Sequence, residues 1–311
     1  MDLKEFREGD QSEITRLFSA AFKKEMSLAY WDWRFSQNPF SEKKYISTYW
    51  DGEQLIGHYA ASPIEFLKNG DVIKSAISMT TMVDPNYQRL GVFPIIANDV
   101  NKKLEKDGFE LIWGFPNNNS HFGLVNGIGW NDVALMPMLS LQKNQFPIDS
   151  KFNNFDFTLL HDFYETKDDI FVVPSKSIQI NKTKKYLNWR YVLNPLNDYK
   201  IIAIDDQIIV YKTLKAFHDP DSLEVDILEI SARITFRQIK AGISWIIKNE
   251  INIYKINIWC SIFDHRYKFF ERLGFTNGLP LTNFSVRNFK NDNSFFDFRN
   301  WDLSLGYSDV F

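Results

Sequence analysis

One phrase occurs twice in this chain. YWDWRFSQNP begins at Tyr30 and YLNWRYVLNP begins at Tyr186. Tyr30, Trp33, Arg34, Asn38 and Pro39 meet Tyr186, Trp189, Arg190, Asn194 and Pro195 at one constant spacing. Downstream, DGEQLIGHY is answered by IDDQIIVYK, and VNGIGW by FERLGF, where a helix ends in glycine and an aromatic residue opens a strand. A repeat this long is not a solenoid unit of about 20 to 50 residues. It implies two copies of one fold in tandem.

The elements of the first copy follow from periodicity. SEITRLFSAAFKK places Ile14, Leu17, Phe18, Ala21 and Phe22 on one helical face, with Ser12 as its expected N-cap. KYISTYW, QLIGHYAASPIEFL and IKSAISMTTMV read as strands, joined by turns at WDGE and KNGD. After Gly91, the recurrence of Phe93, Ile96, Val100 and Leu104 predicts a helix that Gly108 ends. FELIWGF reads as an interior strand. A short helix is expected near Ser120, and then a strand over VALMPMLSLQ. The aromatic, aperiodic run FPIDSKFNNFDF reads as a connector, dividing the chain into domains 1–146 and 147–311.

With 44% apolar and 24% charged residues, the chain has material for packed cores and is too hydrophobic for disorder. A net charge of −3 argues against a protein that coats nucleic acid, and the basic runs TFRQIK and NKTKK read as solvated faces. The single cysteine, Cys260, excludes an internal disulfide and reads as a buried thiol within INIWCSIF. MDLKEFREGD lacks the apolar stretch of a signal peptide, and no run is long enough to span a membrane, so a cytoplasmic location is expected. The five histidines show no metal-ligand spacing, and no metal is expected.

TTMVDPNYQRLGVFPIIANDV carries the strongest chemical signal. A strand feeding a helix through a glycine turn leaves backbone N–H groups free at the positive end of the helix dipole, which suits an anion. Gln88 and Arg89 can add side-chain donors. VDPNYQRLGVF resembles motif A of the GNAT acyltransferase superfamily, Q/R-x-x-G-x-G/A, with Gln88 and Gly91 matching and Phe93 in place of the small residue. The phrases W-x-W, T-M-V, G-F-P-N and L-x-W-R-Y resemble a bacterial tandem-GNAT subgroup often associated with surface-polysaccharide loci, in which phenylalanine at this position is ordinary.

The resemblance implies an α/β (α+β) fold of two tandem GNAT-like domains, each a mixed, mostly antiparallel sheet flanked by helices. It implies acetyl-CoA as co-substrate, its pyrophosphate cradled by the amides of Leu90, Gly91, Val92 and Phe93. Met82 and Val83 would pair with the pantetheine arm as an added strand does. Asn117 and Asn119 would admit that arm, although turn formation and helix capping explain them equally. The second copy reads LEISARITFRQIKAGISWII, with no glycine before its helix, so it is expected to keep the fold without the cofactor and to complete the acceptor site.

Acyl transfer to an amine needs a neutral amine, a donor to the developing oxyanion and a proton for the leaving thiolate. The tyrosine the superfamily often uses is replaced by Val125 in the first copy and Phe270 in the second. His58 is the first candidate base, against a plain strand histidine. Asp309, in a tail resembling the family's W-x-l-t-x-G-D-s-D, is the second. Thr80, Ser120 and His121 are candidate substrate contacts, with capping as the plain alternative for Ser120. The expected reaction is direct N-acetylation of a small amine, an amino sugar or nucleotide-linked amino sugar, in a cleft between the domains. The alternatives are an aminoacyl-tRNA-dependent transferase of peptidoglycan type and a non-catalytic acyl-CoA- or protein-binding pair. No nucleic-acid partner is expected on the leading reading.

Overall fold

The computed structural model describes residues 1–146, 155–217 and 219–308. In chain order the elements are β1 (Asp2–Glu5), α1 (Gln11–Phe22), α2 (Leu28–Phe35), β2 (Tyr45–Asp51), β3 (Gln54–Lys68), β4 (Asp71–Val83), α3 (Val92–Lys106), β5 (Leu111–Gly114), α4 (Asn118–Phe122) and β6 (Asn131–Gln142). They continue with β7 (Phe157–Leu160), β8 (Ile178–Ile180), α5 (Lys184–Tyr191), β9 (Lys200–Ile204), β10 (Gln207–Lys215), β11 (Leu223–Ile230), α6 (Phe236–Asn249), β12 (Ile253–Ile258), α7 (Tyr267–Leu273) and β13 (Thr276–Asn288). The mixed α/β class read from the sequence is the class observed.

The chain forms two compact units that are interleaved in sequence. The first comprises Met1–Ala134, Asn194–Leu196 and Asn283–Asn300. The second comprises Leu135–Leu193, Asn197–Thr282 and Trp301–Phe311. The connector expected at FPIDSKFNNFDF lies largely outside the described residues, which resume at Phe155.

In the first unit the strand order is β1-β2-β3-β4-β5-β13. Every pairing is antiparallel except β4 with β5, which runs parallel from Ser75↔Leu111 to Ile77↔Trp113. The strand beside β5 comes from the far end of the chain, through Ser285↔Gly114 to Asn288↔Leu111. One sheet face is covered by α3, whose Ile96, Val100 and Leu104 are buried against Tyr59, Ile112 and Trp130. On the other face Ile14 and Leu17 of α1 and Trp31 and Phe35 of α2 pack on Leu55, Ala60 and Met79. The α1 cap differs from expectation. The helix starts from Asp10, and the Ser12 hydroxyl donates to the Gly9 carbonyl from inside the first turn.

In the second unit β6 pairs with β12, and the order continues β12-β11-β10-β9-β7. Again one pairing is parallel, β11 with β12 from Leu223↔Ile253 to Ile227↔Ile258. Its core gathers Ile239, Ile243 and Ile246 of α6 over Val225, Ile227 and Ile256. The repeated phrase forms α2 in the first unit and α5 in the second, each an eight-residue helix capped by a hydroxyl, Ser27 and Thr183. Trp31, Trp33 and Trp189 are buried, as the reading of these residues as core expects.

Candidate active site in the first unit

Beyond Ile77, β4 separates from β5 and keeps only β3 as a strand neighbour. Just beyond Ile77 the register with β3 shifts, between His58↔Met82 and Ala60↔Met79. Thr80 occupies that irregularity with φ +48°, a left-handed backbone that a threonine adopts only when its surroundings impose it. The freed edge of β4, Thr81 to Val83, forms one wall of a cavity of about 350 Å³.

The opposite wall is the turn into α3. Asp84 caps the turn at Asn86, and Arg89 (φ +65°) and Gly91 (φ +78°) both take left-handed conformations. A glycine adopts this freely, and no side chain of the cap residue satisfies the helix N-terminus. The amides of Val92 and Phe93 therefore open the helix without intrahelical acceptors, at the positive end of its dipole. Pro94, the third residue of the helix, has no N–H and needs no partner. Tyr87, Gln88, Arg89, Val92 and Phe93 line the cavity on this side.

The remaining wall is α4 with the residues before it. Asn117 caps α4, accepting from the amides of Asn119 and Ser120 at 2.9 and 3.1 Å. Asn117, Asn119, Ser120 and Gly123 all line the cavity. Capping and lining are thus both true of Asn117, and the two readings of it do not compete. Past Phe122 the helix widens into a π-type turn over Gly123–Gly127. Gly123 gives room to Phe93: a Cβ there would lie 3.0 Å from the Phe93 ring. That ring is half-buried, edge-on to Tyr59 with centroids 6.2 Å apart. The bulky residue at the motif's last position is housed by a glycine on the facing helix.

Of the residues expected from the sequence, the structure brings Met82, Val83, Gln88, Arg89, Val92, Phe93, Asn117, Asn119 and Ser120 around one cavity. Leu90 and Gly91 are exposed in the turn, and Thr80 lies one residue before the lining. His121 is the next residue after Ser120 and is hydrogen-bonded to Asp132 at 2.8 Å. Ala21, Phe22, Thr81, Tyr87 and Gly123 also line the cavity and were not expected from the sequence. Phe22 had the helical spacing of a core residue, yet it is 39% exposed at the end of α1.

His58 requires a correction. Its ring is fully buried, with Nδ1 2.8 Å from the Thr80 carbonyl oxygen and Nε2 without a partner. Burial lowers its pKa to about 4, and the Thr80 carbonyl only partly opposes this. A ring sealed in this way has no path by which to take a proton from an acceptor. What it does instead is hold the strained Thr80 peptide. Asp309 lies outside the described residues. Tyr307, two positions earlier, is buried and structural: its hydroxyl accepts from the Ile180 amide at 2.9 Å.

The corresponding place in the second unit is filled. β11 parts from β12 after Ile227, and Arg266 crosses the gap, its Nη1 donating to the Ile230 carbonyl at 2.8 Å. The same guanidinium pairs with Asp264 at 2.6 Å and Asp302 at 3.3 Å, and Lys182 joins Asp302 to Glu229. Burial pushes the Asp264 carboxyl up, but the hydrogen bonds and charge of Arg266 outweigh it and hold it below the usual range. Only about 20 Å³ remains beside Cys260, room for about one water. At the start of α6, Thr235 and Gln238 cap each other's backbone amides, a side-chain cap that the glycine before α3 does not provide. Gly242, inside α6, serves packing, since a Cβ there would lie 2.6 Å from Ile204 and Ile209.

Residues 2–132 match the family of acetyltransferase (GNAT) domains. No curated protein is a sequence match to the chain. Solved structures share the fold. A probable N-acyltransferase from Enterococcus faecalis V583 superposes with a TM-score of 0.72 at 12% identity, over 93% of this chain and 73% of that one. A GCN5-related N-acetyltransferase from Anabaena variabilis gives 0.70 at 9% identity, with the same coverage. Eis1 from Mycobacterium abscessus gives 0.62 at 11% identity, over 93% and 74%. The parted strands, the glycine turn and the segment that matches an acetyltransferase (GNAT) domain coincide in the first unit, which supports reading the chain as an acyltransferase.

Proposed function

We propose that the chain transfers an acetyl group from acetyl-CoA to a small amine, and that the cofactor binds in the first unit alone. The observation that carries this reading is the single cavity that joins the freed edge of β4 to the open N-terminus of α3. The amides of Leu90, Gly91, Val92 and Phe93, with the side chains of Gln88 and Arg89, would hold the pyrophosphate. Backbone groups of Met82 and Val83 would pair with the pantetheine amides, as a strand does at a free sheet edge. The thioester would then lie towards Thr81, beside the backbone that His58 holds in place. The self-capped α6 and the Arg266 plug support a single site per chain.

The acceptor we favour is an amino sugar, free or nucleotide-linked, and this rests on the resemblance of W-x-W, T-M-V and G-F-P-N to the polysaccharide-associated subgroup. Thiol release from acetyl-CoA, followed across a panel of amino sugars, nucleotide-linked amino sugars, polyamines and amino acids, tests it. Turnover confined to the sugar amines is the expected result. A preference for another class refutes the acceptor, and absence of acetyl-CoA binding refutes the whole reading.

A further inference from the structure

The cavity walls hold no group suited to accepting a proton near neutral pH. The titratable side chains among them are Tyr87 and Arg89. Tyr87 donates to Asp51 at 2.8 Å, and that bond raises its pKa. An arginine does not give up its proton in a protein. His58 is fully buried. One turn before Val125, where the resemblance expects a proton donor, α4 carries His121, and its surroundings are those of a working imidazole.

The His121 Nε2 lies 2.8 and 2.9 Å from the two carboxylate oxygens of Asp132, at the start of β6. An ionised carboxylate only accepts, so Nε2 carries the proton and Nδ1 keeps its lone pair. Asp132 is itself fixed from behind, since the Ser285 hydroxyl donates to its Oδ1 at 2.6 Å. Ser285 is buried in β13 opposite Gly114, where the parting of β4 and β5 begins. The ring is partly exposed, with 29% of its side-chain surface accessible, and it follows directly on the cavity residue Ser120. The charged groups on the elements packed around it are Asp132, Arg287 on β13, whose guanidinium is turned to the Ile128 carbonyl, and Arg89 on the α3 side.

We propose that His121 is the base of the transfer, with Asp132 and Ser285 as its positioning residues. The proposal rests on the acyl-transfer reading given above. The acceptor nitrogen attacks the thioester carbonyl carbon, the C–N bond forms, and the C–S bond breaks with its electron pair leaving on sulfur. The proton shed by nitrogen passes to Nδ1 of His121 and from there to the thiolate, so CoA departs as the thiol and the imidazole is restored. No oxidant or metal enters the balance.

Nitrogen-15 NMR of histidine-labelled protein tests the assignment without knowledge of the acceptor. With the His121 signal identified by its loss in His121→Gln, the ring is expected as the Nε2–H tautomer at pH 8, and it shifts when acetyl-CoA is added. An Nδ1–H tautomer, or no response to acetyl-CoA, overturns the proposal. With an amine that turns over, His121→Gln is expected to lower kcat by about 10²- to 10⁴-fold and to abolish the acid limb of the pH profile. Asp132→Asn is expected to weaken the preference for the Nε2–H tautomer and to lower kcat with KM little changed, because the ring loses the carboxylate that orients it, and Ser285→Ala acts in the same direction more weakly. The thermal shift produced by acetyl-CoA should be the same in wild type and His121→Gln. If His121→Gln turns over like wild type while both bind acetyl-CoA, the base is elsewhere and the acyl-transfer reading stands. If wild type binds no acetyl-CoA, both fall.

Discussion

The glycine at position 91 separates two effects that most substitutions confound. A Cβ placed there meets nothing within 4 Å, so no neighbour has to move. The backbone is left-handed, at φ +78°, so any other residue costs about 1–2 kcal/mol of conformational strain. Gly91→Ala and Gly91→Glu share that strain, and only the second adds a negative charge to the turn. With the carboxylate about 5 Å from a diphosphate and an effective dielectric of about 40, each negative charge is opposed by about 2 kcal/mol. Two such charges give about 3–4 kcal/mol, or a loss of several hundred-fold in affinity. CoA titrations followed by thermal shift in both variants measure the difference. Gly91→Ala should melt lower yet retain most of its affinity, whereas Gly91→Glu should lose nearly all of the ligand-induced shift, and lose less of it at high salt. Equal loss in the two variants would mean that turn geometry alone matters, and no loss in either would remove the anion from this turn.

Other predictions concern the buried ionisable groups. The folded pKa of His58, about 4, lies below its ordinary 6.5, so the unfolded chain takes up the proton first as pH falls. The contribution of the neutral ring is complete above about pH 6.5 and is lost on descent to about pH 4, on the order of 3 kcal/mol in total. Denaturation between pH 7 and 4.5 should therefore show a steeper loss of stability in wild type than in His58→Gln; parallel curves would contradict the buried neutral ring. Arg266→Ala leaves Asp264 and Asp302 buried with a guanidinium removed from between them, and should cost about 3–5 kcal/mol by urea denaturation at pH 7. A loss below 1 kcal/mol would show that the plug is not the structural feature described. Because the folded pKa of Asp264 is depressed, its contribution is present above the ordinary carboxylate value and disappears as pH falls through the folded one.

The sequence exposed those parts of the molecule whose physics is local. Gly91 was legible because a left-handed turn before a helix needs a glycine, and Ile96, Val100 and Leu104 because burial on one helical face imposes a period. The difference between the two helix starts was legible from the missing glycine before α6, although the Arg266 contact was not, since Arg266 says nothing in sequence about Ile230. Ser285 and Asp132 were invisible for the same reason. They meet across 153 positions because β13 supplies the strand beside β5 in the first unit, an exchange that a linear repeat does not announce. A histidine in a strand looks alike whether its ring reaches solvent or is buried, so His58 was not legible from the sequence. Only the packing decides the matter, and here the ring is fully buried.

One acyl-CoA site per chain, built on the turn at Gly91, is the central proposal. Isothermal titration calorimetry with CoA measures this directly. Wild type should bind one equivalent per chain and Gly91→Glu none, with both proteins folded by circular dichroism. Two equivalents, or one that survives Gly91→Glu unchanged, would contradict it.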